Sequence, residues 1–70
     1  MSDSVYRVTE VIGTSTVSWE DAAKNAVETA AKTLRDLRVG EVTKFDMTID
    51  DGHVSNYRAR VSISFKYEAE

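Results

Sequence analysis

Hydrophobic and polar positions change their period twice along the chain. From Val5 to Ile12 (VYRVTEVI) they alternate: Tyr6, Val8 and Ile12 share one face with Glu10 as the polar exception, and Arg7, Thr9 and Val11 share the other. That is the rhythm of a strand. Gly13-Thr14-Ser15-Thr16 then predicts a turn. From Ser18 to Leu37 the repeat becomes helical, with Trp19, Ala22, Ala23, Ala26, Val27, Ala30, Ala31, Leu34 and Leu37 at steps of three and four. Ser18 is a good N-cap, Glu20 and Asp21 suit the positive end of the helix dipole, and Arg35 and Arg38 suit the negative end. Five members of the apolar stripe are alanine. A methyl-lined stripe demands a very close neighbour, either a strongly curved sheet or another helix.

After Leu37 the period falls to two. In Val39–Asp51 the odd positions Val39, Phe45, Met47 and Ile49 are apolar, and Lys44, Asp46, Thr48 and Asp50 between them are polar. Asp50-Asp51-Gly52-His53 predicts a hairpin turn, because Asp-Gly accepts the left-handed backbone that a tight turn requires. Val54–Tyr67 is the clearest strand, with Tyr57, Ala59, Val61, Ile63, Phe65 and Tyr67 on one face and Arg58, Arg60, Ser62, Ser64 and Lys66 on the other. The expected fold is α+β in the order β-α-β-β, a three-stranded antiparallel sheet wrapped around one helix, as a single domain over residues 1–70. Strands of about a dozen residues are long against the usual five or six, so they must twist and coil.

Composition sharpens this picture. A 70-residue chain buries only about 60% of its unfolded surface, and domains of this size lean on disulfides, metals or oligomerisation. There is no cysteine and a single histidine, His53, which excludes disulfides, thiolate metal sites and a histidine-rich zinc site within one subunit. Oligomerisation is the expected remedy, with a carboxylate-bound ion as a helper. The net charge of −3 argues against sequence-independent nucleic-acid binding. No apolar run reaches membrane-spanning length, and MSDSVYRV has neither the basic nor the apolar region of a signal peptide. A soluble cytoplasmic protein is the expectation. His53 beside two aspartates reads as a solvated turn residue, and no nucleophile–base–acid order or phosphate-cradling glycine loop is present. The chain is expected not to be an enzyme.

Tyr6-Arg7-Val8, Ile12-Gly13-Thr14-Ser15, Ser18-Trp19-Glu20-Asp21-Ala22-Ala23, Leu37-Arg38-Val39-Gly40-Glu41-Val42, Tyr57-Arg58 and Ser64-Phe65-Lys66 together resemble the dodecin family over nearly the whole chain. The resemblance implies a sheet curled around the helix and a hollow spherical homododecamer of cubic-type symmetry. It also implies storage or buffering of flavin, such as riboflavin or FMN, bound in pairs at two-fold axes. In flavin-binding members a tryptophan early in the second strand stacks on the isoalloxazine ring and a glutamine in the third strand bonds its polar edge. Here those places hold Val39 and Arg58, and Asp46 replaces an arginine that some members present from the second strand. Loss of an aromatic platform costs roughly 1–3 kcal/mol per ring by analogy with base stacking. Flavin binding is therefore expected to be weak or altered. The stretches Ser18-Trp19-Glu20 and Arg38-Val39 are similar to the tryptophan-less branch, which includes the calcium dodecins.

The ligand-pocket positions are thus Val39, Glu41, Asp46, Arg58 and Lys66. Arg58, Arg60 and Lys66 form a basic row that can hold a phosphate-bearing ligand through forked donors, or else pair with Glu10, Glu41 or Asp46 within or between subunits. Glu41 and Asp46 become candidate calcium or magnesium ligands if symmetry gathers copies of them, since calcium takes six to eight oxygens. Trp19 opens the helix far from the stacking position, and packing or a subunit contact is its expected role. Two functions follow: small-ligand storage in a homododecamer, or a shell stabilised by calcium or magnesium without flavin.

Overall fold

The computed structural model describes residues 5–66. Strand β1 (Tyr6–Ser15) leads to helix α1 (Trp19–Ala30), and a hairpin of two long strands follows, β2 (Leu37–Asp50) and β3 (His53–Lys66). The sheet is antiparallel with the order β1-β3-β2, so the last strand lies in the middle. This is the β-α-β-β fold that the periodicity predicts.

The helix rests on the sheet through its alanines. Ala22, Ala26 and Ala30 are buried, one turn apart, against Ala59, Val61 and Ile63 of β3. The methyl stripe is there because the backbone of β1 comes in so closely. A Cβ built on Gly13 would lie 2.0 Å from the Ala22 carbonyl oxygen and 2.8 Å from the Ala26 Cβ. Of the two neighbours the sequence allows, the sheet is the one that fits. Gly13 is therefore a strand residue, and β1 continues to Ser15 where the sequence predicts a turn. Its glycine is explained by proximity to the helix and not by turn geometry.

Helix α1 begins as expected. Ser18 Oγ accepts from the Asp21 amide at 3.0 Å, and Ser15 Oγ, itself buried, donates to Asp21 Oδ2 at 2.7 Å and accepts from the Val17 amide. The helix ends earlier than its periodicity suggests, at Ala30 and not Leu37. The amides of Lys32 and Thr33 bond three residues back, to Thr29 and Ala30, which tightens the turn. Asp36 then takes φ 57°, a left-handed conformation that aspartate tolerates, and the chain turns into β2. Leu34 and Leu37 still pack against the core, but from the connection and the strand. Periodicity alone could not separate those two ways of burying them.

The hairpin closes on Asp51-Gly52, both at positive φ, with Asp50 opposite His53, as the Asp-Gly signal requires. The register of β2 slips at Leu37/Val39, Val42/Lys44 and Thr48/Ile49. The middle slip at Thr43 has the largest effect on the faces. Val39 and Glu41 pair with Ser64 and Ser62, whereas Phe45 and Met47 pair with Ala59 and Tyr57. The bulge therefore separates the apolar odd positions onto two faces, with Val39 outside and Phe45 and Met47 on the helix side. Tyr67, expected in the third strand, lies outside the described residues.

The elements differ greatly in length. A 12-residue helix spans about 18 Å, whereas 14-residue strands span about 46 Å. The helix packs on β1 and β3 and barely reaches β2. Every residue of β2 except Leu37 and Thr48 is exposed.

Gly13→Ala is expected to destabilise the fold by about 3 kcal/mol or to abolish it, since the intruding methyl meets backbone and cannot be repacked. Gly40→Ala, whose Cβ would meet only Val27 and Val61 side chains at 3.4 Å, is expected to stay within about 1 kcal/mol. Denaturant melts of the two variants check the contrast.

Candidate ligand-binding face of the sheet

Directly paired residues of an antiparallel sheet point to the same side, so the register gives the composition of the face turned away from the helix. Its rows run Thr14–Arg58–Asp46, Ile12–Arg60–Lys44, Glu10–Ser62–Glu41 and Val8–Ser64–Val39, with Tyr6 beside Lys66 at the end. All five ligand-pocket positions lie on this face. Only two of them meet. Asp46 and Arg58 form a two-pronged pair, with Nε donating to Oδ1 at 2.7 Å and Nη2 donating to Oδ2 at 2.8 Å. Arg60 Nη1 donates to Glu10 Oε1 at 3.3 Å, across β3 to β1. Of the basic row, Arg58 and Arg60 are thus paired with Asp46 and Glu10.

The pair with Arg58 holds the Asp46 carboxyl below its ordinary value of 3.8; partial desolvation opposes this, and the charges of Arg58, Arg60 and Lys44 add to it. Arg58 is raised in turn by its hydrogen bond and charge interaction with Asp46. Because the carboxyl is depressed, the pair's contribution to stability is complete above the ordinary aspartate range. It is lost only as pH falls through the lowered value.

The remaining positions lie apart. Val39 is 60% exposed and pairs with Ser64, six residues along β3 from Arg58, a separation of roughly 20 Å. Within one chain the two positions are therefore not neighbours. Glu41, opposite Ser62, is four β3 residues from Asp46, and both Asp46 oxygens are engaged by Arg58. Among the described residues no group of three or more histidine, cysteine or acidic side chains is placed to hold a metal. Lys66 sits at the far end, opposite Tyr6.

Two features escape the sequence. Trp19 donates its indole N–H to the Asp46 carbonyl at 2.9 Å and packs on Phe45 and Tyr57, with ring centroids 5.8 and 5.0 Å away. Asp46 is thereby fixed from both sides of the sheet, its carbonyl by the helix start and its carboxylate by Arg58. Nothing local signals a contact between residues 27 apart. The other feature is a groove of about 510 Å³ between β1 and the helix, lined by Val11, Gly13, Thr14, Asn25, Ala26 and Thr29 among others. A smaller hollow of about 90 Å³ is lined by Val39 together with Val27, Leu37, Arg38, Gly40 and Ile63.

This fold is that of known proteins. The family model described as Dodecin matches residues 5–68. A protein of Mycobacterium tuberculosis named calcium dodecin is 44% identical over 63 residues, covering 90% of this chain and 89% of its own length. The solved dodecin of Streptomyces coelicolor superposes with a TM-score of 0.92 at 41% identity over the whole of both chains. The crystal structure of a calcium dodecin from M. tuberculosis, described as having a novel calcium-binding site, superposes with a TM-score of 0.81 at 42% identity over 94% of each chain. The chain belongs to the dodecin family.

Asp46 is expected to titrate below 3.8, and Arg58→Gln should move its midpoint up toward that value without unfolding the chain. Carboxyl-carbon NMR of the two proteins through acid pH reads this directly. An unmoved midpoint would show that Arg58 does not set the charge state of Asp46.

Proposed function

We propose that this dodecin is a binding and storage subunit, not a catalyst, acting in the cytoplasm as one domain of a hollow homododecamer that holds small ligands between copies. The carrying observation is the uncovered β2. Phe45, Ile49 and Val39 are each about 60% exposed, and they lie on both faces of one edge strand. Such an array suits a surface that copies of the chain bury. Family membership supports the same assembly. The separation of Val39 from Arg58 also supports a pocket shared between copies.

Flavin is the family's expected ligand, and this chain meets it poorly. Val39 offers no ring to stack on, and Arg58 occupies the hydrogen-bonding position with its fork already engaged by Asp46. The proposal is therefore storage with low flavin affinity. A second reading is a shell stabilised by calcium or magnesium and carrying no flavin. It is supported by the relative named calcium dodecin and by the acidic Glu41 and Asp46 on the shared face, which could complete an oxygen shell only by combining with other copies.

One series of titrations separates the two readings. Riboflavin fluorescence quenching should be weak with the natural chain and roughly tenfold tighter or more in Val39→Trp/Arg58→Gln, which restores the platform and frees Asp46. An unchanged affinity contradicts the pocket assignment. Chelator treatment followed by native mass spectrometry should leave the assembly's mass intact under the storage reading and reduce it under the cation reading.

A further inference from the structure

The tip of the β2–β3 hairpin sets a free carboxylate beside an unshielded amide. Asp50, Asp51, Gly52 and His53 are all exposed. Asp51 and Gly52 turn the chain at φ 51° and 78°, a backbone that glycine accepts freely and aspartate only under strain. The Asp51 carboxylate has neither a hydrogen bond nor an ion pair among the described residues. Gly52 brings no side chain of its own, and a Cβ placed there would meet nothing within 4 Å. Hairpin ends of this kind open locally at little cost, so the tip can rotate into reactive geometries.

No other described aspartate combines these features. Asp21 Oδ2 accepts from Ser15 Oγ at 2.7 Å and from Asn25 Nδ2 at 3.5 Å, and Asp46 is held by Arg58. Asp50 and Asp36 are followed by Asp51 and Leu37, whose side chains crowd the adjoining amide. Asp36 is the informative comparison, because it too is exposed and left-handed, at φ 57°. Its carbonyl accepts from the Lys66 amide at 3.3 Å, which ties that peptide down.

We propose that the Asp51–Gly52 linkage is a modification site, where aspartate isomerises spontaneously to isoaspartate and unzips the end of the hairpin. The Gly52 nitrogen attacks the side-chain carboxyl carbon of Asp51. A C–N bond forms, a carboxyl C–O bond breaks, and the hydroxyl leaves with the amide proton as water, closing a five-membered imide. Water then adds to the α-carbonyl and breaks its bond to the Gly52 nitrogen, so the chain runs through the former side chain. Mass is unchanged, and the only co-reactant is water. The product has one more atom in its backbone, which the two-residue turn joining Asp50 to His53 does not accommodate. Pairing is lost there and at Ile49–Val54. It holds from Thr48 and Ser55 onward, because Ser55 Oγ donates to the Thr48 carbonyl at 3.2 Å and lies 2.6 Å from the Thr48 hydroxyl. The new α-carboxylate is the group that an isoaspartyl-specific carboxyl methyltransferase esterifies. This site is independent of what the protein stores.

The test is to age the intact protein for weeks at physiological temperature and map isoaspartate by peptide fragmentation. It should accumulate at Asp51 and not at Asp36. Gly52→Ala should slow it several-fold. Because alanine strains a left-handed turn, Asp51→Asn is the second variant. It suits the same turn and, having ammonia as the leaving group, should form the imide several-fold faster. Amide exchange of the aged protein should lose protection at Ile49 and Val54 and keep it beyond Thr48 and Ser55. No isoaspartate at Asp51, an equal yield at Asp36, or an Asp51→Asn variant no faster than the parent overturns the site. Unchanged protection at Ile49 and Val54 in the modified protein overturns the unzipping.

Discussion

The contact on which this structure depends is the seating of a methyl-lined helix against the sheet at Gly13. The Ala22 carbonyl and Ala26 methyl approach β1 so closely that no side chain fits between them. That proximity explains the alanine stripe, the absence of a Cβ at position 13, and a core built from residues no larger than isoleucine. It also sets a limit. A helix seated so tightly on β1 and β3 covers a narrow strip, and the chain extends 55 Å along its longest axis. The β2–β3 hairpin runs out beyond the region its own helix can shield.

The candidate ligand face follows from the same arrangement. Because the helix takes one side of the sheet, the five ligand-pocket positions share the other. Along that face the register sets charges in bands: the Asp46–Arg58 pair, then Lys44 with Arg60, then Glu10 and Glu41, then the apolar Val8 and Val39. Trp19 couples the two sides by holding the Asp46 carbonyl from beneath. A change at the helix start would thus be felt at the ion pair, without either element crossing the sheet.

Most of the fold could be read from the chain itself. The Ser18 cap, the Asp51-Gly52 turn and the two faces of β3 each depend on short-range chemistry, and all three stand as the sequence indicates. The errors arise where distant contacts decide. Leu34 and Leu37 continue the helical repeat, yet they reach the core after the helix has ended at Ala30. Gly13-Thr14-Ser15 carries turn residues but forms strand, because glycine was needed for closeness and Ser15 for its bonds to Asp21 and Val17. The candidate site was legible as a set of residue types but not as one face, since strict alternation puts Val39 and Asp46 on opposite sides of the second strand. It was not legible as geometry, since the bulge at Thr43, the pairing of Asp46 with Arg58 and the distance from Val39 to Arg58 exist only once the strands are in register.

The assembly proposed above supplies the missing cover of an over-long ribbon on a short helix from other copies of the chain. Sedimentation velocity at micromolar concentration tests this most directly. The account requires a single closed assembly with the mass of twelve subunits and no folded smaller species. A well-folded lone subunit, persisting with its β2 side chains in water, would contradict it.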